Sequence, residues 1–132
     1  MDPAKPETPT YVESSICLAP EPRSAGAARN FVEDHVRGLV SPETADVAVL
    51  LTSELVTNGI VHARTPLRLA IEVAGTGVRI AVADDVPQQP HRRSQATTRT
   101  TGRGIHLVAM LAASWGVEVT PPGKTVWFLL PA

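Results

Sequence analysis

Glu54, Asn58 and His62 follow one another at intervals of four residues, so on a helix they stand one turn apart on a single stripe. Those residue types in that order can do chemistry on a phosphate. The Asn58 carboxamide offers a neutral oxygen of the kind Mg²⁺ accepts beside phosphates and waters, and Glu54, one turn earlier, can orient or deprotonate an attacking hydroxyl or water. Leading into them, Val47, Leu50, Leu51 and Leu55 recur at the spacing of a buried helix face. The polar stripe therefore lies beside or within a face meant for a core, where an unpaired polar group costs roughly 2–7 kcal/mol. A hydrated metal and a phosphate would satisfy it, and so would a solvated helix edge or a polar network closing on itself. His62 is the weakest member, because a histidine at a helix end is more often structural.

Two other places carry comparable signals. Asp84 ends an alternating apolar run, where aspartate is common as a turn residue. It would equally serve at the bottom of a pocket as acceptor for an exocyclic amine such as that of adenine. Asp85 beside it points the other way if strand geometry continues, so only one of the two faces the pocket. Gly102-Arg103-Gly104 precedes an apolar helical pattern; glycines at a helix start expose backbone N–H groups and the positive helix end, a ready anion site. Arg92, Arg93, Arg99 and Arg103 sit in or beside the same stretch as cations that suit phosphate, although solubility accounts for Arg92 and Arg93. Lys124 and Thr125, in the last turn, are weaker candidates.

The elements that must position these residues follow from periodicity and punctuation. Residues 1–9, with their prolines and charges, read as a disordered tail ahead of one domain over 10–132. A strand over Tyr11–Ala19 is closed by Pro20 and Pro22. Ser24 caps a helix running to about Val40, with Phe31, His35, Val36 and Leu39 on one face; His35 is read as structural or surface. Ser41-Pro42-Glu43 supplies an N-cap, a first-turn proline and an acid at the positive dipole end, so the motif helix starts there and ends before Pro66. Strands over Leu67–Ala74 and Val78–Ala83 form a hairpin through Gly75-Thr76-Gly77. From 86 to 101 the apolar period vanishes, as in a lid loop. A helix from Ile105 to about Ser114, with Leu107, Val108 and Leu111 inward, precedes strands over Trp115–Thr120 and Thr125–Leu130 that turn at Pro121-Pro122-Gly123-Lys124. This order gives an α+β fold, a two-layer α/β sandwich of a mainly antiparallel sheet with helices on one face.

Composition narrows the function. Lys and Arg number 12 against 13 Asp and Glu in 132 residues, so the basic footprint of a nucleic-acid binder is missing. Cys17 is the only cysteine and cannot form an internal disulfide. No apolar run approaches the eighteen or so residues that cross a bilayer, and the N-terminus has no signal-like apolar stretch. A cytoplasmic protein without membrane or nucleic-acid partners is expected.

Taken in order, the three places resemble a known family. Glu54-Leu55-Val56-Thr57-Asn58-Gly59-Ile60-Val61-His62-Ala63 looks like the N box of the GHKL (Bergerat-fold) ATPases. Val82-Ala83-Asp84-Asp85-Val86-Pro87 looks like their adenine box, Thr101-Gly102-Arg103-Gly104-Ile105 like their phosphate loop, and Gly123-Lys124-Thr125-Val126-Trp127-Phe128 like the closing strand of small members. Within the superfamily, the chain resembles the small anti-sigma-factor serine/threonine kinases and their actinobacterial histidine-kinase-like relatives, over residues 11 to 131. The resemblance implies a Mg-ATP site in which Asn58 holds Mg²⁺, Asp84 binds adenine, and Gly102, Arg103 and Gly104 cradle phosphates. By the same resemblance Glu54 is the general base, while His62 and Thr125 are lesser contacts. It implies phosphorylation of a serine or threonine on an antagonist (anti-anti-sigma) protein, sequestration of a sigma factor, and a homodimer.

Two departures stand against the family pattern. Val86 occupies the place two after the aspartate where glycine is usual, and Gly59 replaces an alanine within the N-box helix, at a cost of roughly 1 kcal/mol in helix stability. Both weigh against tight ATP binding. They leave open a second class of function, a non-catalytic module that binds nucleotide weakly and works by holding a regulatory partner.

Overall fold

The computed structural model describes residues 12–86 and 104–132. The expected tail over 1–9, nearly all of the expected lid, and Arg92, Arg93, Arg99, Gly102 and Arg103 lie outside the described residues. In chain order the elements are β1 (Val12–Leu18), α1 (Arg23–Val36), α2 (Pro42–Asn58) continued by a π-helical turn (Gly59–Ala63), β2 (Leu67–Ala74), β3 (Gly77–Asp84), α3 over 104–111, β4 (Ser114–Thr120) and β5 (Gly123–Pro131). The strands form one sheet in the order β1-β2-β3-β5-β4, and every neighbouring pair is antiparallel. This is the α+β two-layer sandwich expected from the sequence.

Strand alternation decides what faces the helices. Leu67, Leu69, Ile71 and Val73 of β2, Val78, Ile80 and Val82 of β3, and Val126, Phe128 and Leu130 of β5 are buried together with Ala28, Val32 and Val36 of α1 and Ala48, Leu51, Leu55 and Val56 of α2. Period-2 patterning on strands thus meets period-3.6 patterning on helices across one apolar layer. The opposite face carries Arg79, whose guanidinium lies 5.2 Å from the centroid of a Trp127 ring.

The start of α2 is as the sequence indicates. Ser41 Oγ accepts the Thr44 N–H at 3.1 Å and Pro42 opens the helix, which uses a residue lacking an N–H where none is needed. Thr44 Oγ1 then donates to the Pro131 carbonyl at 2.9 Å, fastening this helix end to β5. Contrary to the expectation that no stretch is long enough to cross a bilayer, the helix over 42–63 meets that length and apolar composition. One face of it, with Ala48, Leu51, Leu55 and Val56, belongs to the core shared with the sheet.

Several boundaries and faces differ from expectation. Ser24 does not cap α1: Pro22 holds the N-cap position without a side-chain bond, and Ser24 is buried inside the first turn, donating to the Ala19 carbonyl at 2.7 Å. The helix stops at Val36: Arg37 leaves the helical region with ψ 125°, and Gly38 follows with a φ of 78°, which a β-carbon disfavours; Leu39 therefore leaves the helix face and is exposed. His35 packs on Phe31 at 4.3 Å between ring centroids, with Nδ1 2.8 Å from the Phe31 carbonyl. On α2 the buried face is rotated, with Ala48 and Thr52 inside and Leu50 42% exposed. Leu111 of α3 is exposed in the same way, while Val108 is fully buried.

Candidate functional site

The rotation of α2 settles where its polar stripe lies. Glu54 and Asn58 flank the buried face and are half-buried, whereas His62, on the π-helical turn, is exposed. That turn closes with the Arg64 N–H bonding to the Gly59 carbonyl at 3.0 Å, five residues back, and Arg64 takes the left-handed conformation at φ 57°. Such π turns are rare and recur at functional sites. The cause here is local packing: a β-carbon at Gly59 would come within 2.8 and 2.9 Å of the two Leu67 methyl carbons. Gly59 lets the helix end sit directly on the first residue of β2, so its low helix propensity is exchanged for a close approach.

This contact places the Asn58 end of α2 over one end of the sheet. Leu67 lies one residue before the Arg68–Ala83 pair, at the end where β3 finishes in Asp84. The connection is tied down by the Asp85 N–H, which donates to Thr65 Oγ1 at 3.1 Å. Asp84 shares the helix-facing side with Val82, and Asp85 is exposed. Of the two aspartates, Asp84 is therefore the one turned toward the helices.

The Asp84 side chain is only 10% exposed and both its oxygens have partners. Oδ1 accepts the Val86 N–H at 3.0 Å, and Oδ2 lies 2.6 Å from Lys124 Nζ. Lys124 stands directly opposite Asp84 in the β3–β5 ladder. Val86, where glycine was expected to matter, takes no positive φ: Arg64 is the one non-glycine residue with positive φ among those described. Its backbone instead fixes the aspartate. Thr125, adjacent to Lys124, is paired with Ala83 and so lies on the sheet face away from the helices; its Oγ1 is 2.9 Å from Thr120 Oγ1.

The third place meets the first at Gly104. This residue opens α3 and is buried, and a β-carbon built on it would land on Asn58 Nδ2, with Glu54 Cβ 3.8 Å away. The backbone of Gly104 is thus seated against the Asn58 amide and the Glu54 stem. Asn58 Nδ2 is buried without a hydrogen-bond partner among the described residues. A buried amide N–H lacking an acceptor loses on the order of 1–3 kcal/mol, and an anionic oxygen bound at the head of α3 would supply the acceptor. The carboxamide then presents its other end to a cation. Among the described residues no three His, Cys, Asp or Glu side chains group as a metal site, so a metal held here would rely on phosphate and water oxygens beside Asn58, as Mg²⁺ does.

Glu54, Asn58 and Gly104 are therefore brought together, and Asp84 stands on the helix side of the sheet end that carries the α2 exit. His62 and Thr125 are not part of that group, and Gly102 and Arg103 fall outside the described residues. Two contributors escaped sequence reasoning. Lys124 carries no local signal, because its partner lies forty positions away in sequence. Gly123 was read as a turn glycine, although its role is to bring β5 onto β3: a β-carbon there would collide with the Asp84 carbonyl oxygen and lie 2.7 Å from Asp85 Cα.

A comparison with curated proteins finds no match. A scan against family models matches residues 18–130 to the histidine kinase-like ATPase domain. The match spans every element from the end of β1 to the last residues of β5, including all three places that carry the candidate polar residues. The chain belongs to the histidine kinase-like ATPase domain family, within the GHKL-type ATPases, and has the ATP-binding regulatory character of that family.

Proposed function

We propose that this protein is an ATP-dependent protein serine/threonine kinase that controls transcription by partner switching, phosphorylating an antagonist protein and in its other state holding a sigma factor. The observation that carries the reading is the seating of Gly104 against Asn58 and Glu54, with the Asn58 amide nitrogen buried and lacking an acceptor. In this reading Asn58 and the head of α3 hold the triphosphate, and Asp84 accepts from the adenine amine. Mg²⁺, when bound through Asn58, would neutralise charge developing on the phosphates. The substrate hydroxyl attacks the γ-phosphorus as the bond to the β–γ bridging oxygen breaks; Glu54 takes the hydroxyl proton, and ADP departs. Such a protein would work as a cytoplasmic homodimer.

The test is calorimetric titration with Mg-ATP, followed by transfer of labelled γ-phosphate to any co-encoded antagonist protein. Asn58→Ala should weaken binding by about a hundredfold, while Glu54→Ala should keep binding and lose transfer. Binding of ATP without any transfer to such a protein would leave the second reading, a non-catalytic module holding a regulatory partner. What favours that alternative is the occupation of both Asp84 oxygens by Val86 and Lys124, which leaves fewer lone pairs for adenine.

A further inference from the structure

We infer that Lys124 is a positioning residue for base recognition: by clamping Asp84 from across the β3–β5 ladder, it makes this nucleotide site read the 6-substituent of the purine. The inference rests on the reading of Asp84 as the adenine acceptor and adds to it the residue that makes that acceptor selective.

A carboxylate on its own is a loose reader. Its terminal torsion is broad, and a side chain free to swing can turn away from an unsuitable ligand group or admit a water between them. Asp84 has no such freedom. Oδ1 is held by the Val86 N–H at 3.0 Å and Oδ2 by Lys124 Nζ at 2.6 Å, so the carboxylate plane is fixed at both ends. Ionised carboxylate oxygens only accept hydrogen bonds and have about four lone-pair sites between them. With two of these used, those remaining point in set directions. A 6-amino purine can donate to such an oxygen; a 6-oxo purine sets acceptor against acceptor, in a place only 10% exposed where water cannot easily intervene.

The approach that delivers Lys124 is built into the backbone. Gly123 lies against the Asp84 carbonyl and Asp85 Cα, closer than any side-chain-bearing residue allows, and the next residue, Lys124, thereby comes directly opposite Asp84 on the helix-facing side. A surface ion pair serving stability alone would not need this. Such exposed pairs contribute little, whereas here the lysine is 27% exposed and its partner 10%.

The experiment is calorimetric titration of the full chain with the Mg²⁺ complexes of ATP and of inosine triphosphate, which differs by a 6-oxo group in place of the amine. Thermal melting accompanies each variant. The unaltered chain should prefer ATP by about a hundredfold or more. Lys124→Met should bind ATP about tenfold more weakly and lose most of the preference, because the freed carboxylate turns to suit either base; Lys124→Arg should recover much of it. The double variant Lys124→Met, Asp84→Asn should be no less selective than Asp84→Asn alone, since the lysine acts through the aspartate. If Lys124→Met does not fold, Lys124→Gln is judged by the same comparison. An unchanged preference in a folded Lys124 variant, or losses at the two positions that simply add, overturns the inference while leaving ATP binding intact. Failure of the unaltered chain to bind ATP removes the underlying reading, and this inference with it.

Discussion

Replacing Gly104 by alanine is the sharpest perturbation of the candidate site, because it adds one carbon at the point where the first residue of α3 meets the motif helix. Its β-carbon would overlap Asn58 Nδ2, with Glu54 Cβ at 3.8 Å as the next nearest neighbour. Gly104 has no positive φ that alanine would have to strain to adopt. On stability, alanine gains up to about 1 kcal/mol of helix propensity at most, while crowding a packed position costs about 1–3 kcal/mol. The atom in the way is the end of an amide that can turn aside, so the cost falls at the low end and the terms nearly cancel. The melting temperature should stay within about 4 °C of the unaltered chain. Binding is a different matter. An Asn58 amide pushed from its place loses its hydrogen bond to a charged ligand, about 1.5–3 kcal/mol, which is roughly a tenfold to hundredfold weakening for Mg-ATP. Calorimetric titration measures this directly, and a cycle with Asn58→Ala isolates the cause: once Asn58 is gone, Gly104→Ala should do almost nothing more. Unchanged ATP affinity in a folded Gly104→Ala protein would refute the reasoning, as would effects of the two substitutions that add in full.

Gly59→Ala should destabilise the protein, by about 1–2 kcal/mol in chemical denaturation, because crowding against fully packed Leu67 outweighs the gain of about 1 kcal/mol in helix propensity; a more stable Gly59→Ala protein would show that Leu67 yields. Gly123→Ala should be worse, costing about 3 kcal/mol or more, since its β-carbon meets the backbone of Asp84 and Asp85, which cannot rotate away. Loss of the native melting transition, or a marked fall in its midpoint, is the expected result, and a near-native melting curve would contradict the close approach of β5 to β3.

Much of this was legible in the chain, for reasons that can be traced to particular residues. Ser41-Pro42-Glu43 marks the start of α2 because caps and dipoles are local effects. The β2–β3 hairpin follows from Val78, Ile80 and Val82 alternating behind two glycines. What lay hidden depends on partners distant in sequence. The identity of the buried α2 face turned on whether Leu50 or Ala48 met the sheet, and apolar spacing alone does not separate adjacent stripes. Gly59 looked like a defect because its reason, Leu67, belongs to the next element. Gly38 ends α1 early by backbone conformation rather than by hydrophobic pattern. Of the candidate site, Glu54, Asn58, Asp84 and Gly104 could be picked by type and spacing, whereas the Lys124–Asp84 clamp required the register between β3 and β5.

The strand order has a consequence for how the chain comes to be folded. β4 is made before β5, yet among the described residues its only neighbour in the sheet is β5, which lies between it and β3. Until residues 123–131 leave the ribosome, β4 and one edge of β3 lack the strand they pair with, and Phe128 is missing from the core. Pairings between such distant parts of a chain form slowly, and open apolar edges invite association with other chains in the meantime. Asn58 and Asp84 are synthesised early, but the clamp on Asp84 arrives only with Lys124, at the start of this last strand. The Lys124–Asp84 pair and the β3–β5 ladder therefore form together, so a newly made chain lacks that pair until β5 has joined the core.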